Sequence, residues 1–239
     1  MTNNLLLYHG STQIIKKPFL AGGKADNDYG QGFYCTQDKN LAGEWACQKK
    51  TEGFGYINSY SLDTSDLKFL YLNNQKYSVM SWLNILIENR KVDDIQNEEA
   101  LDFVKKNYAL DLKSYDVIVG WCADDSYFSF VRDFLNGAIT VQALTRAMRL
   151  GKLGNQVVLK SEKAFEKLEF REVFQAECSI YNPKFTQRDF NARSSYREIR
   201  KELPNSKEIL ITDIIRNPGI LIEWESRIKY IDDDYDRER

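Results

Sequence analysis

Apolar and polar positions along the chain follow two periods, and their mixture defines the expected elements. Leu5, Leu6 and Leu7 run into Tyr8 and predict a short buried strand, Leu5 to Tyr8, directly before His9 and Gly10. Phe33 to Thr36 predicts a second strand, entered through the flexible "DYGQG". "GYINSYSLD" sets Tyr56, Asn58 and Tyr60 against Ile57 and Ser59, a period of two. "YDVIVGW" (115–121) is the clearest buried strand, and "NQVVLKS" and "EVFQAECSIYN" read as two more. Helical spacing occurs at Leu41, Ala42, Trp45 and Ala46, with Asp38 or Asn40 able to cap. It recurs at Val79, Trp82, Leu83 and Leu86, and again at Ala100, Leu101, Val104 and Tyr108, so 71–112 reads as helical and interrupted. "DDSYFSFVRDFLNG" carries an acidic cap and a terminal Gly137 suited to a helix C-cap, "TVQALTRAMRLGKLG" starts at a capping Thr140, and "SEKAFEKLEF" reads as a short helix.

Strands and helices mix without regular βαβ alternation, which favours an α+β fold. After Pro183 the character changes: Lys184, Arg188, Arg193, Arg197, Arg200 and Lys201 face only Asp189 and Glu198. The expected organisation is a domain over 1–182, with a helical insertion at about 71–112, followed by a C-terminal extension over 183–239 that holds the basic segment.

Composition narrows the class. With 43% hydrophobic and 28% charged residues, the chain has the balance of a soluble globular protein. No apolar run approaches the ~20 residues that span a bilayer, and MTNNLLLYHG lacks the basic start and long apolar core of a signal peptide. Cys35, Cys47, Cys122 and Cys178 form no CxxC pair and read as buried thiols of a reducing cytoplasm. A net charge of −2 implies no global attraction to nucleic acid or anionic lipid. The chain has no Walker loop and no GxSxG, and its single histidine is too few for a metal cluster.

That histidine is the candidate chemistry. His9 stands between an apolar strand and Gly10–Ser11. A glycine after a strand lets backbone approach a ligand. "YGQGFYCT" brings Gly30, Gly32 and the aromatic Tyr34; the following helix presents Trp45; Gln156 opens a late strand. Each has a plain structural alternative. His9 can be a satisfied strand-end histidine, Tyr34 and Trp45 can be core aromatics, and Gly30 and Gly32 can shape a turn.

"YHGS" followed by "GQGFYCT…LAGEWA", with Trp45 eleven residues after Tyr34, resembles two signature segments of the ADP-ribosyltransferase superfamily. The similarity is to the branch of diphtheria-like toxins and poly(ADP-ribose) polymerases, and to a little-characterised bacterial domain family of that clan found beside small antitoxin genes. "GNQVVLKSEKAFEKLEF" matches the third segment in shape. The resemblance covers roughly residues 5–180. It implies a split β-sandwich core, NAD+ as substrate, and mono-ADP-ribosyltransferase activity of a cytoplasmic toxin toward RNA, DNA or protein, with a possible antitoxin partner. Within it, Gly10 would pair with the nicotinamide carboxamide, His9 would bond the ribose, Ser11 would add a hydroxyl, and Tyr34 and Trp45 would grip the pyridinium beside Gly32.

The family's third residue is a glutamate, where this chain has Gln156 followed by Val158 two residues on. An amide bonds a ribose hydroxyl but takes up no proton. The substitution implies single transfers rather than polymer, or a module that binds NAD+ without turnover; hydrolysis of NAD+ is a third possibility. Glu162 is a fallback acid or a solvated surface residue. The basic run is a solvated helix face, a phosphate-contacting surface or a dock for an acidic antitoxin.

Overall fold

The computed structural model describes residues 4–74, 76–122, 128–148, 150 and 155–227. Two sheets organise it. The first has the order β1-β3-β7, all antiparallel, from β1 (Asn4–Ser11), β3 (Phe54–Asp63) and β7 (Leu168–Glu177). The second has the order β2-β6-β5-β4, from β2 (Phe33–Cys35), β6 (Asn155–Leu159), β5 (Val117–Trp121) and β4 (Phe69–Tyr71), with only β4 and β5 parallel. Among the described residues one isolated bridge, Tyr8 to Thr36, ties one sheet to the other.

Alternation decides what each face buries. Leu7, Tyr60 and Leu62 of the first sheet meet Phe33, Cys35, Val117, Val119, Val157 and Leu159 of the second across one apolar layer. On the far side of the first sheet lies α1 (Lys39–Cys47), where Ala42, Ala46 and Cys47 pack on Ile57 and Ala176. On the far side of the second, Leu70, Ile118 and Val158 join a larger cluster built from α2 (Val79–Asn89), α3 (Glu98–Asn107), α4 (Phe128–Leu135) and α5 (Val141–Met148). The class is α+β, as the lack of regular alternation predicts.

The helix starts carry their own chemistry. Asp38, not Asn40, caps α1 by accepting from the amides of Asn40 and Leu41. Ser78 caps α2, Asn97 caps α3, and Ser161 caps α6 (Glu162–Glu166). Thr140 accepts from Ala143 as α5 begins, and Gly137 closes the turn after α4 at a φ of 74°. The acidic residues expected to cap α4 lie outside the described residues.

Three expectations need correction. The first strand does not stop at Tyr8 but continues through Ser11, because β3 pairs with it to the end. β4 was not expected at all; three residues are too few to show a period. The strand expected over 172–182 starts earlier, at Leu168 inside the stretch expected as helix, and ends at Glu177, and α7 (Cys178–Lys201) begins where alternation suggests more strand. The boundary placed at 182/183 therefore falls inside a continuous helix, with Pro183 in its second turn. α8 (Ile211–Arg216) and a further helical stretch at 219–227 complete the described chain. No helix among the described residues is long and apolar enough to cross a membrane.

Candidate functional site

The two sheets and α1 leave a cleft of about 1400 Å³ where β1, β2, β6 and the end of β5 converge. His9, Gly10, Gly32, Tyr34, Trp45 and Gln156 all line it. Six of the seven site residues expected from sequence are thus brought together from four separate elements. Ser11 is the exception. It is not among the lining residues, and its hydroxyl accepts from the amide of Gln13.

His9 is fixed from two sides. Its ring stacks on Phe33 at 4.4 Å, and Nδ1 lies 2.7 Å from the carbonyl oxygen of Tyr34. A carbonyl only accepts, so Nδ1 carries the hydrogen and Nε2 keeps its lone pair. Burial lowers the pKa of His9 below 6.5, against a smaller upward pull from the Tyr34 carbonyl. The ring is a neutral hydrogen-bond acceptor at neutral pH.

Tyr34 has a committed hydroxyl. It donates to Gly30 O at 2.6 Å and accepts from Tyr29 N at 3.0 Å, and burial raises its pKa. What the cleft receives from Tyr34 is ring surface, not a titrating group. Tyr29, which sequence reasoning passed over, is fully buried; its hydroxyl donates to Trp121 O at 2.6 Å and accepts from Trp82 Nε1 at 3.0 Å. Lys160 donates to the carbonyls of Tyr29 and Gln31, and Arg90 pairs with Asp28 at 3.4 Å. Burial lowers the pKa of Lys160. The "DNDYGQG" segment is therefore a clamped lip rather than a flexible entry.

The glycines answer mainly to packing. A Cβ on Gly10 would sit 1.9 Å from Ala42 O, and one on Gly55 would sit 2.6 Å from Ala46 O. Together they form a notch in which α1 lies directly on the first sheet, and that approach carries Trp45 to the cleft. A Cβ on Gly32 would sit 2.7 Å from Val158 Cγ1. The expectation that Gly10 is small for a ligand's sake is corrected to this extent: the helix behind it already requires a glycine.

Gln156 is the least satisfied residue of the site. It is 8% exposed, donates from Nε2 to Cys122 Sγ at 2.8 Å, and leaves Oε1 buried without a partner. An orphaned buried acceptor costs about 1–3 kcal/mol unless a ligand or water fills it. Glu162 is exposed, sits at the start of α6 and does not line the cleft.

Further contributors were invisible in the sequence. Asn58 accepts from Ile15 N and donates to Gln13 O and His9 O, which folds the segment after β1 back over the cleft rim. Phe185 of α7 also lines the cleft. The basic run on α7 is largely matched: Arg188 pairs with Glu44, Arg193 with Asp189, Arg200 with Asp133 and Lys201 with Glu198.

A family model described only as a protein of unknown function, DUF3990, matches residues 5–170. The chain belongs to that family. No curated protein and no solved structure matches it. The DUF3990 segment runs from β1 into β7 and so includes His9, Gly32, Tyr34, Trp45 and Gln156, whereas Phe185 and Arg188 lie beyond it.

Proposed function

We propose that the cleft binds NAD+ and that the protein transfers single ADP-ribose units from it to a macromolecular acceptor. In this reading the two facing sheets are the split sandwich core of an ADP-ribosyltransferase. The observation that supports it most directly is Gln156, which lines the same cleft as His9, Tyr34 and Trp45 and whose Oε1 is buried with no hydrogen-bond partner. That oxygen suits a ribose hydroxyl. Tyr34 and Trp45 offer aromatic surface to a cationic pyridinium, worth on the order of 1–2 kcal/mol each when water is excluded. Nε2 of His9 accepts from a second hydroxyl.

The N-glycosidic bond breaks with its electron pair leaving on nicotinamide, which departs neutral. The acceptor's lone pair forms the new bond to C1′. Its proton passes to solvent or to a base that the acceptor brings, because an amide takes none up. Such an activity in the cytoplasm would make the protein a toxin, to be restrained by an antitoxin.

A second reading is an NAD+-binding module without turnover. It is favoured by the residue at 156 itself, an amide in place of a carboxylate. Labelled NAD+ separates the outcomes when incubated with the protein alone and with cellular protein, RNA and DNA. Label on a macromolecule supports transfer, saturable binding without turnover supports the module, and free ADP-ribose with nicotinamide supports hydrolysis. For the site itself, Gln156→Ala and Trp45→Ala should each weaken NAD+ binding about tenfold, the loss of one hydrogen bond or one ring. Unchanged binding in both would remove the site.

A further inference from the structure

Four of the six basic residues of the α7 run are matched by carboxylates, but the lysines on the rim of the cleft are not. Lys16, Lys17, Lys24 and Lys49 are exposed and line it. Among the described residues no ion pair involves any of the four. Of the lining carboxylates, Asp28 pairs with Arg90 at 3.4 Å, Asp93 with Lys91 at 3.6 Å, and Asp94 with Arg132 at 3.9 Å, a guanidinium shared with Asp133 at 3.4 Å. Asp26 is the lining carboxylate for which, among the described residues, no ion pair is found.

Between Lys17 and Lys24 stands Phe19, 64% exposed and on the same rim. This segment has a defined position, because Asn58 and the hydroxyl of Tyr60 hold the backbone of Ile15 just before it. The cleft, at about 1400 Å³, exceeds the roughly 300–1,000 Å³ of an ordinary small-ligand pocket.

We infer that this rim binds a single-stranded nucleic acid, and, resting on the transfer reading above, that this strand is the acceptor. Lysines serve as point charges for phosphates without demanding one geometry. An exposed aromatic among them gives a base a stacking face, which an unpaired strand offers and a duplex withholds. An acidic peptide would answer the charge, but a flat ring partner for Phe19 is intrinsic only to the nucleotide.

The test is anisotropy of a short labelled single strand, as RNA and as DNA, titrated with the full-length protein across a salt series. Four phosphate contacts predict a log–log salt slope of about −3. Lys16→Ala, Lys17→Ala and Lys24→Ala combined should flatten that slope by about 2. Phe19→Ala should weaken binding about tenfold or more at an unchanged slope. NAD+ binding, followed by calorimetry, should stay as in the wild type for both variants.

An unchanged slope in the triple variant would overturn the inference. So would equal competition by the same duplex or by polyglutamate of matched charge, or loss of NAD+ binding in the triple variant, which would assign the lysines to the dinucleotide. The two readings fail separately. Strand binding of this kind in a protein that binds no NAD+ leaves the surface and removes the transfer; NAD+ turnover with no strand binding does the reverse.

Discussion

Adding a proton to His9 would place a charge on a half-buried ring whose desolvation already disfavours it. The sign follows from that. The folded pKa lies below 6.5, so between the two values the unfolded chain holds a proton that the folded chain does not. The stability that His9 contributes is complete above pH 6.5 and is lost as pH falls from there through the folded pKa. Urea midpoints for wild type should therefore drop from pH 7 toward about pH 5, before most carboxylates titrate. His9→Gln should flatten that drop, and an equal drop in the variant would show that the ring is not the group responsible. His9 was legible because it is the only histidine and stands before a glycine. Lys160, Tyr29 and Asn58 were not, since each acts on residues scores of positions away and nothing local marks a lysine destined to donate to two carbonyls.

At the scale of elements, α1 carries the argument, because it holds Trp45 and rests on the Gly10–Gly55 notch. Its outer side is closed by α7: Tyr181 crosses Gly43, and Arg188 makes two bonds to Glu44, at 2.8 Å from Nε and 2.7 Å from Nη2. Glu44 is 2% exposed. Arg188→Met would leave that carboxylate buried and unmatched, at a cost of about 3–5 kcal/mol. Glu44→Leu combined with Arg188→Met should recover most of the loss in the chemical denaturation midpoint; a single variant as stable as wild type would show that the pair is not coupled. The strands with several alternating residues and the helices with polar caps were readable from sequence. α7 was misread at its start for a local reason: Glu177 makes no side-chain cap, while Cys178, Ile180 and Pro183 mimic a strand approaching a break. What selects helix there is tertiary, the burial of Cys178 against α1 and the first sheet.

At the scale of the molecule, the segment shared with the DUF3990 family ends at residue 170, but the physical unit does not. Tyr196, Ile199, Ile209, Ile211, Ile214 and Leu221 belong to the same core cluster as α2 and α4. Asp133 of α4, 3% exposed, receives the hydroxyl of Tyr196 at 2.8 Å and pairs with Arg200 at 3.1 Å. Val141 donates to Ile209 O, and Ile209 donates to the side chain of Gln142, so the chain after α7 closes over the start of α5. Glu225 accepts from Ser78 and Val79 where α2 begins. Removing everything after Glu177 would expose this apolar face, leave the buried Glu44 without Arg188 and take Phe185 from the cleft. The full chain should unfold in one cooperative transition, with near- and far-ultraviolet circular dichroism coinciding. The chain cut after Glu177 should lose the near-ultraviolet signal of fixed aromatic packing and unfold without a sharp midpoint. A cut chain that kept a cooperative transition and the wild-type affinity for NAD+ would show instead that the family segment folds alone and that α7 and its successors are an appendage.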